Sequence, residues 1–189
     1  MEPVVSIAAQ IVMGVGLAAS AGLRAVLPWL VVGVAGRADV LPLGESFDWM
    51  STTPALVVFG VAVVTEILAD KIPVVDSVLD SVQLFVKPVA GTVLVASVLT
   101  ELSPLQATVL GIVTGGVTAG SVQVLKAKTR LLATFSTAGI ANPVLSAGED
   151  AGSLIGSVAS IALWPLALAA IAAVLLLYVL IFARRRRPA

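Results

Sequence analysis

Long apolar runs interrupted by short charged groups make up nearly the whole chain. Between Pro3 and Gly36 the one charged residue is Arg24. That stretch exceeds the roughly 20 residues a single span needs. Breaks are predicted at Ala19-Ser20-Ala21-Gly22 and at Pro28, giving a broken helix or a short helical hairpin. A polar loop follows from Arg37 to Thr52, with Asp39, Glu45 and Asp48. Pro54 to Lys71 reads as a span that ends in a charged group. Val74 to Leu99 begins amphipathic, with Asp76, Asp80 and Lys87, and becomes apolar after Pro88. After a turn at Glu101 to Pro104, Leu105 to Val124 is a glycine-rich span leading to Lys126, Lys128 and Arg130. Leu131 to Ala147 is weakly apolar, and Gly139, Asn142 and Pro143 oppose a simple helix, so a short broken or re-entrant crossing is expected. Glu149-Asp150 then opens the last long segment, Ala151 to Phe182, with a kink predicted at Pro165.

This pattern predicts an all-α, polytopic transmembrane bundle of about five to seven segments, some broken or re-entrant. Residues 1–189 form one integral membrane domain, and 184–189 a basic cytoplasmic tail. Ser20-Ala21-Gly22-Leu23 is echoed by Thr137-Ala138-Gly139-Ile140, each followed by a proline, Pro28 and Pro143. An inverted repeat with halves 1–100 and 101–183 would account for the echo. The excess of Lys and Arg puts Arg184 to Arg187, and with them the C-terminus, on the cytoplasmic side. Lys71, Lys126, Lys128 and Arg130 follow to that side, and Glu45, Asp48 and Glu101 to the other.

Composition narrows the chemistry. Of 189 residues, 59% are hydrophobic and 12% charged, against about 25% charged in soluble domains, and the mean hydropathy is +1.10. The zero net charge gives no reason to expect a nucleic-acid partner. With no Cys and no His, thiolate chemistry, iron–sulfur clusters, the usual zinc and haem ligands and a His-centred triad are excluded. A proton carrier must then be Asp, Glu, Lys or Tyr, and a metal must be a hard cation such as Mg2+ or Ca2+ on oxygen ligands. The N-terminus, with Glu2 where a signal peptide has basic residues, reads as a retained membrane segment.

Charged residues within such segments are the candidates for function, because hydrocarbon disfavours them. Glu66-x-x-x-Asp70 and Asp76-x-x-x-Asp80 each place two carboxylates on one helix face, with Lys71 and Pro73 between the pairs. Together they could bind a divalent cation or pass a proton. The alternative is a solvated turn at the membrane surface, which explains Glu66 least well. Arg24 is expected as the partner of a buried carboxylate or as an anion-binding group. Lys87 is expected to pair with Asp80 or another acid. Asn142-Pro143, with Ser146, Glu149 and Asp150, marks either a broken helix that exposes backbone groups to an ion or an ordinary helix start favoured by negative charge. Lys126 and Arg130 are expected to be topogenic, with gripping a phosphate as the alternative. Gly111-x-x-x-Gly115 and Gly116-x-x-x-Gly120 allow close helix packing or a homodimer. Trp29, Trp49, Trp164 and Tyr178 suit membrane interfaces.

The runs Ala21-Gly22-Leu23-Arg24-Ala25-Val26-Leu27-Pro28, Glu66-x-x-x-Asp70-Lys71-x-Pro73-x-x-Asp76-x-x-x-Asp80, Lys87-Pro88-x-x-Gly91 and Asn142-Pro143-x-x-Ser146-x-x-Glu149-Asp150 resemble a family of small bacterial integral membrane proteins catalogued as a domain of unknown function. The resemblance implies a multi-pass protein of the bacterial inner membrane and supplies no activity. Glu66-x-x-x-Asp70-Lys71 is also loosely similar to the Glu-x-Gly-Asp-Lys motif of cation/proton exchangers, but is one residue longer, has Ala69 in place of the glycine and occurs once. The expected function is therefore a transporter or channel for a small ion or solute using the intramembrane acidic cluster. The alternatives are a Mg-dependent lipid-phosphate enzyme and a flippase or binder of a phosphate-bearing lipid. The expected partners are the bilayer and the small ion or solute.

Overall fold

The computed structural model describes residues 6–70, 73–137, 140–171 and 173, without the side chains of 73–78 and 80. Helix α1, Ile7–Leu23, is capped by Ser6, whose side chain accepts from the Ala9 N–H. Helix α2, Leu27–Arg37, starts with Pro28 in its first turn, where the missing N–H is harmless. A 3-10 turn, Glu45–Ser51, precedes α3, Thr53–Ala69. Helix α4, Pro73–Val98, runs on through Pro88. Helix α5, Pro104–Leu110, passes through a π-helical segment, Gly111–Gly116, into α6, Val117–Thr137. Helices α7, Asn142–Ala162, and α8, Trp164–Ile171, meet at an 82° bend.

The polarity is that of a membrane protein. Val57, Val58, Val61, Val64 and Leu68 of α3, Phe85 and Val89 of α4, and Leu125, Leu132 and Phe135 of α6 are exposed, while Arg24, Glu66, Lys87, Gln123, Lys126, Arg130 and Glu149 are buried. Water would favour the reverse; hydrocarbon around the bundle favours this arrangement. Among the described residues, two helical stretches are long and apolar enough to cross a bilayer, Ser81–Val98 within α4 and the 34-residue stretch Pro104–Thr137. Up to four cross if each bent pair, Glu45–Ser51 with α3 and α7 with α8, counts as one span. Helices α1 and α2 are shorter than a span.

Helices α1 and α2 form a hairpin. The first turns of α1 lie beside the end of α4, where Gln10 Nε2 donates to Thr100 Oγ1 at 3.0 Å. Helix α2 returns to that end: Arg37 Nη1 donates to Thr53 Oγ1 at 2.7 Å, and the Gly44 N–H reaches the Ser97 carbonyl at 2.9 Å. Apolar packing is concentrated between the hairpin and α4, around Met13, Leu17, Val32, Met50, Leu94 and Val98. Trp29, Trp49 and Phe59 make edge-on ring contacts at 5.5–6.2 Å, so Trp29 and Trp49 take part in an aromatic cluster.

Two expectations are corrected. The interruption falls at Arg24-Ala25-Val26, after the small residues. Gly22 stays helical because it is a contact point: a Cβ there would meet Val122 Cβ at 2.5 Å. Within the stretch from Leu131, α6 continues to Thr137 and α7 opens at Asn142, so the interruption falls between them. Helix α7 opens at Asn142, so Glu149 and Asp150 lie two turns inside it and not at its start. The bend expected at Pro165 is present two residues earlier, at Leu163. The first echoed segment ends α1, and α2 carries Pro28 in its first turn; of the second, Ala138 and Gly139 lie outside the described residues.

The glycines of the Leu105–Val124 span are used within the chain. A Cβ at Gly91 would lie 2.5 Å from the Gly115 carbonyl oxygen and 2.6 Å from Ala119 Cβ, and one at Gly111 would lie 2.5 Å from the Thr92 carbonyl oxygen. Helix α4 and the π segment thus approach backbone to backbone. Replacing Gly91 by Ala is expected to destabilise the protein by about 1–3 kcal/mol through overpacking. Gly60→Ala, where nothing lies within 4 Å of the added atom, is expected to stabilise by about 0.5–1 kcal/mol. Unfolding in mixed micelles measures both, and equal responses would contradict the close contact.

Candidate functional site

Interrupting a helix at residues 24–26 frees backbone groups that, away from water, need other partners. The chain supplies them from charged side chains. The Leu23 carbonyl accepts from Lys87 Nζ at 2.9 Å and Lys126 Nζ at 3.4 Å. The Ala25 N–H donates to Glu66 Oε1 at 3.2 Å, and Gln83 Nε2 donates to the same oxygen at 2.9 Å. Lys87 Nζ also donates to Gln123 Oε1 at 2.6 Å. Lys87 is 0% exposed and Arg24 1%, so these charges are shielded from solvent.

Arg24 itself lies at the centre of a second group. Its Nη1 contacts Asp70 Oδ2, its Nε lies 2.5 Å from Asp150 Oδ1, and its Nη2 donates to Ser146 Oγ at 2.8 Å and to the Ser146 carbonyl at 3.3 Å. Ser146 Oγ in turn donates to Asp70 Oδ2 at 2.8 Å. Arg130 Nη2 lies 3.5 Å from the same Asp70 oxygen. Arg130 also forms a fork on Glu149, Nε to Oε1 at 3.1 Å and Nη2 to Oε2 at 2.9 Å. Lys126 Nζ is 3.0 Å from Glu149 Oε2. The partners therefore run in sequence from Asp150 through Arg24, Asp70, Arg130, Glu149 and Lys126 to the Leu23 carbonyl, with cation and anion alternating up to Lys126. A planar guanidinium with several donors suits both branch points.

Local spacing explains the convergence. Gly115, Ala119, Gln123, Lys126 and Arg130 recur every three or four residues and are buried. The face of α6 that packs as small residues near Gly115 thus becomes polar further along. Ser146, Glu149, Ser153 and Ser157 form the matching buried face of α7, where Ser153 Oγ donates to the Ser20 carbonyl at 3.0 Å. Helix α3 delivers Glu66 and, at its end, Asp70.

Of the residues singled out from sequence, Arg24, Glu66, Asp70, Lys87, Glu149 and Asp150 belong to this connected region. Glu66 and Asp70 accept from Ala25, Gln83, Arg24, Arg130 and Ser146 rather than facing a common point between them. Among the described residues no group of three Asp, Glu, His or Cys side chains is placed to hold a metal ion. Lys71 and the side chains of Asp76 and Asp80 lie outside the described residues. Asn142 sits apart, its Nδ2 donating to Thr134 Oγ1 at 3.1 Å. Lys126 and Arg130 are buried members of the group. Gln83 and Gln123 escape a reading based on charge alone; the signal for them is their place on the same faces as Lys87 and Lys126.

The family model described as a domain of unknown function, DUF4126, matches residues 11–185. No curated protein and no solved structure matches the chain.

Removing one member of a buried pair leaves its partner uncompensated. Arg24→Gln removes the cation beside Asp150 and the nearer of the two beside Asp70, and is expected to destabilise the protein by about 3–5 kcal/mol. Arg24→Lys, which keeps the charge but loses the fork, is expected to recover only part of that. A double-mutant cycle of Arg24→Gln with Asp70→Asn measures the pair directly, and a coupling near zero would mean that the two groups do not interact.

Proposed function

We propose that this chain, which belongs to the DUF4126 family, is a membrane transporter or channel for a small ion or solute. The observation that carries the reading is the buried hairpin tip at Arg24-Ala25-Val26, whose freed carbonyl and amide are held by Lys87, Lys126 and Glu66. Irregular backbone at membrane depth is tolerated where it is buried in protein or lines a polar cavity, and interrupted helices of this kind form the binding sites of many transporters. A tip held by exchangeable side-chain contacts can rearrange without breaking a helix ladder. Glu66 and Asp70 join α3 to the tip, so ion or solute binding there would act on the position of α3.

A lipid-phosphate enzyme would use Lys87, Lys126 and Arg130 against the substrate. Their engagement with Leu23, Gln123 and Glu149 favours transport over that chemistry. By the same reading the protein lies in the bacterial inner membrane with Arg184 to Arg187 on the cytoplasmic side.

Purified protein in liposomes, with fluorescent readouts of proton and divalent-cation flux and isotope uptake of small anions, tests the proposal. Wild type is expected to carry at least one of these ions, and Glu66→Gln, folded to the same extent, to lose most of the flux. Absence of flux for every ion in wild type would refute the transport reading.

A further inference from the structure

Three buried donors converge on one oxygen, Asp70 Oδ2: the Arg24 guanidinium, the Arg130 guanidinium and the Ser146 hydroxyl. Arg24 is 1% exposed, Arg130 7% and Ser146 8%. Two guanidiniums and a hydroxyl around one oxygen form the kind of donor set that proteins use for carboxylates and phosphates. Here the oxygen belongs to the protein, and the helix that brings it lies at the edge of the bundle, its apolar packing centred on Phe59 near the other end. Among the described residues of α3, Phe59 and Glu66 are the buried ones, and the rest of the helix presents apolar side chains such as Val57, Val61, Val64 and Leu68 outward. The inner end of α3 is anchored by polar contacts, those of Glu66 and Asp70. The donors, by contrast, come from the hairpin tip, α6 and α7, which pack on one another through Gly22 and Val122 and through Ser20 and Ser153. The far side of Arg24 is not sealed, since the Asp150 side chain against its Nε is 28% exposed.

We propose that Arg24, Arg130 and Ser146 form a binding site for a small oxyanion, a carboxylate or a phosphate group, and that Asp70 is its resident occupant, displaced when the anion binds. The inference rests on the transport reading in one respect, that the oxyanion is the cargo; the binding site stands or falls separately. Displacement of Asp70 removes one of the two polar anchors at the inner end of α3, Glu66 keeping its contacts with Ala25 and Gln83, which links occupancy of the site to the position of a peripheral helix. It also leaves Arg24 and Arg130 compensated throughout, because one carboxylate or phosphate oxygen replaces another. An occupant that must first be expelled weakens apparent affinity by the fraction of time the site is open.

The test uses the full chain in nanodiscs of zwitterionic lipid, with acetate and inorganic phosphate as probes and chloride at equal ionic strength as the control. In Asp70→Ala the site has lost its occupant. Acetate or phosphate is expected to raise the unfolding midpoint of this variant and to bind about tenfold or more tighter than to wild type. The added substitution Arg24→Gln is expected to abolish both effects. Rescue by phosphatidylglycerol in the nanodisc, and not by the soluble probes, would identify a lipid headgroup as the source of the oxyanion. No rescue by either probe or by anionic lipid, beyond that of chloride, would overturn the proposal. Should Asp70→Ala fail to fold, Arg24→Lys in the otherwise native chain decides: unchanged binding of acetate and phosphate, or no binding to wild type, would overturn it as well. Flux assays separate the two ideas. Oxyanion binding without flux of any ion retains the site and refutes transport, whereas flux of other ions without oxyanion binding does the reverse.

Discussion

A helix interrupted inside a membrane bundle must find partners for its freed backbone groups without help from water, and the arrangement of this protein follows from that requirement. The break at Arg24-Ala25-Val26 leaves the Leu23 carbonyl and the Ala25 amide to side chains. An unsatisfied group of this kind is disfavoured by several kcal/mol in hydrocarbon. Lys87 and Lys126 answer the carbonyl, and Glu66 the amide. Each of these, being charged and buried, then needs a partner of its own: Gln123 for Lys87, Glu149 for Lys126, Gln83 for Glu66. The polar region grows outward from the break in this way until Arg24 and Arg130 join α3, α6 and α7.

Much of this was legible in the sequence, and the reasons for the rest are physical. The all-helical membrane character follows from the length of the apolar runs. Arg24, Glu66 and Asp70 stand out because each interrupts such a run. The burial of Lys126 and Arg130 is harder to read, because they end a glycine-rich span, where basic residues usually meet a headgroup; their spacing from Gly115, Ala119 and Gln123 is what places them on the packed face. The position of the hairpin tip was missed because Gly22 can serve either as a break or as a point of close approach, and the partner that decides, Val122, is distant in sequence. Glu149 and Asp150 look like residues of a helix start, but Pro143 fits the first turn of α7 as readily as it would fit a loop, so the helix begins earlier.

The same considerations connect the site to its proposed use. A region made only of ion pairs can serve as a rigid core, as a pathway or as a receptor for an incoming charge. The peripheral placement of α3 separates these roles. Its apolar face meets the surroundings, and its inner end is held by two carboxylates. A helix attached to the rest of the bundle in this manner can exchange polar contacts at its inner end while Phe59 keeps its ring contacts with Trp29 and Trp49.

The long-range pairing of Arg24 has a further consequence, for biogenesis. Its hydroxyl and carbonyl partner, Ser146, is 122 residues away along the chain, and Asp150 lies further still. At ordinary synthesis rates that interval is on the order of ten seconds. During it, the first hairpin must be handled by the insertion machinery with an arginine whose last partners have not yet been made. Arg24 therefore gains its partners on α7 only after α1 to α6 have been made. Assembly is then tied to completion of the chain, and a product truncated before Ser146 would retain an apolar surface fit for the membrane around a guanidinium that is not, which marks it for quality control.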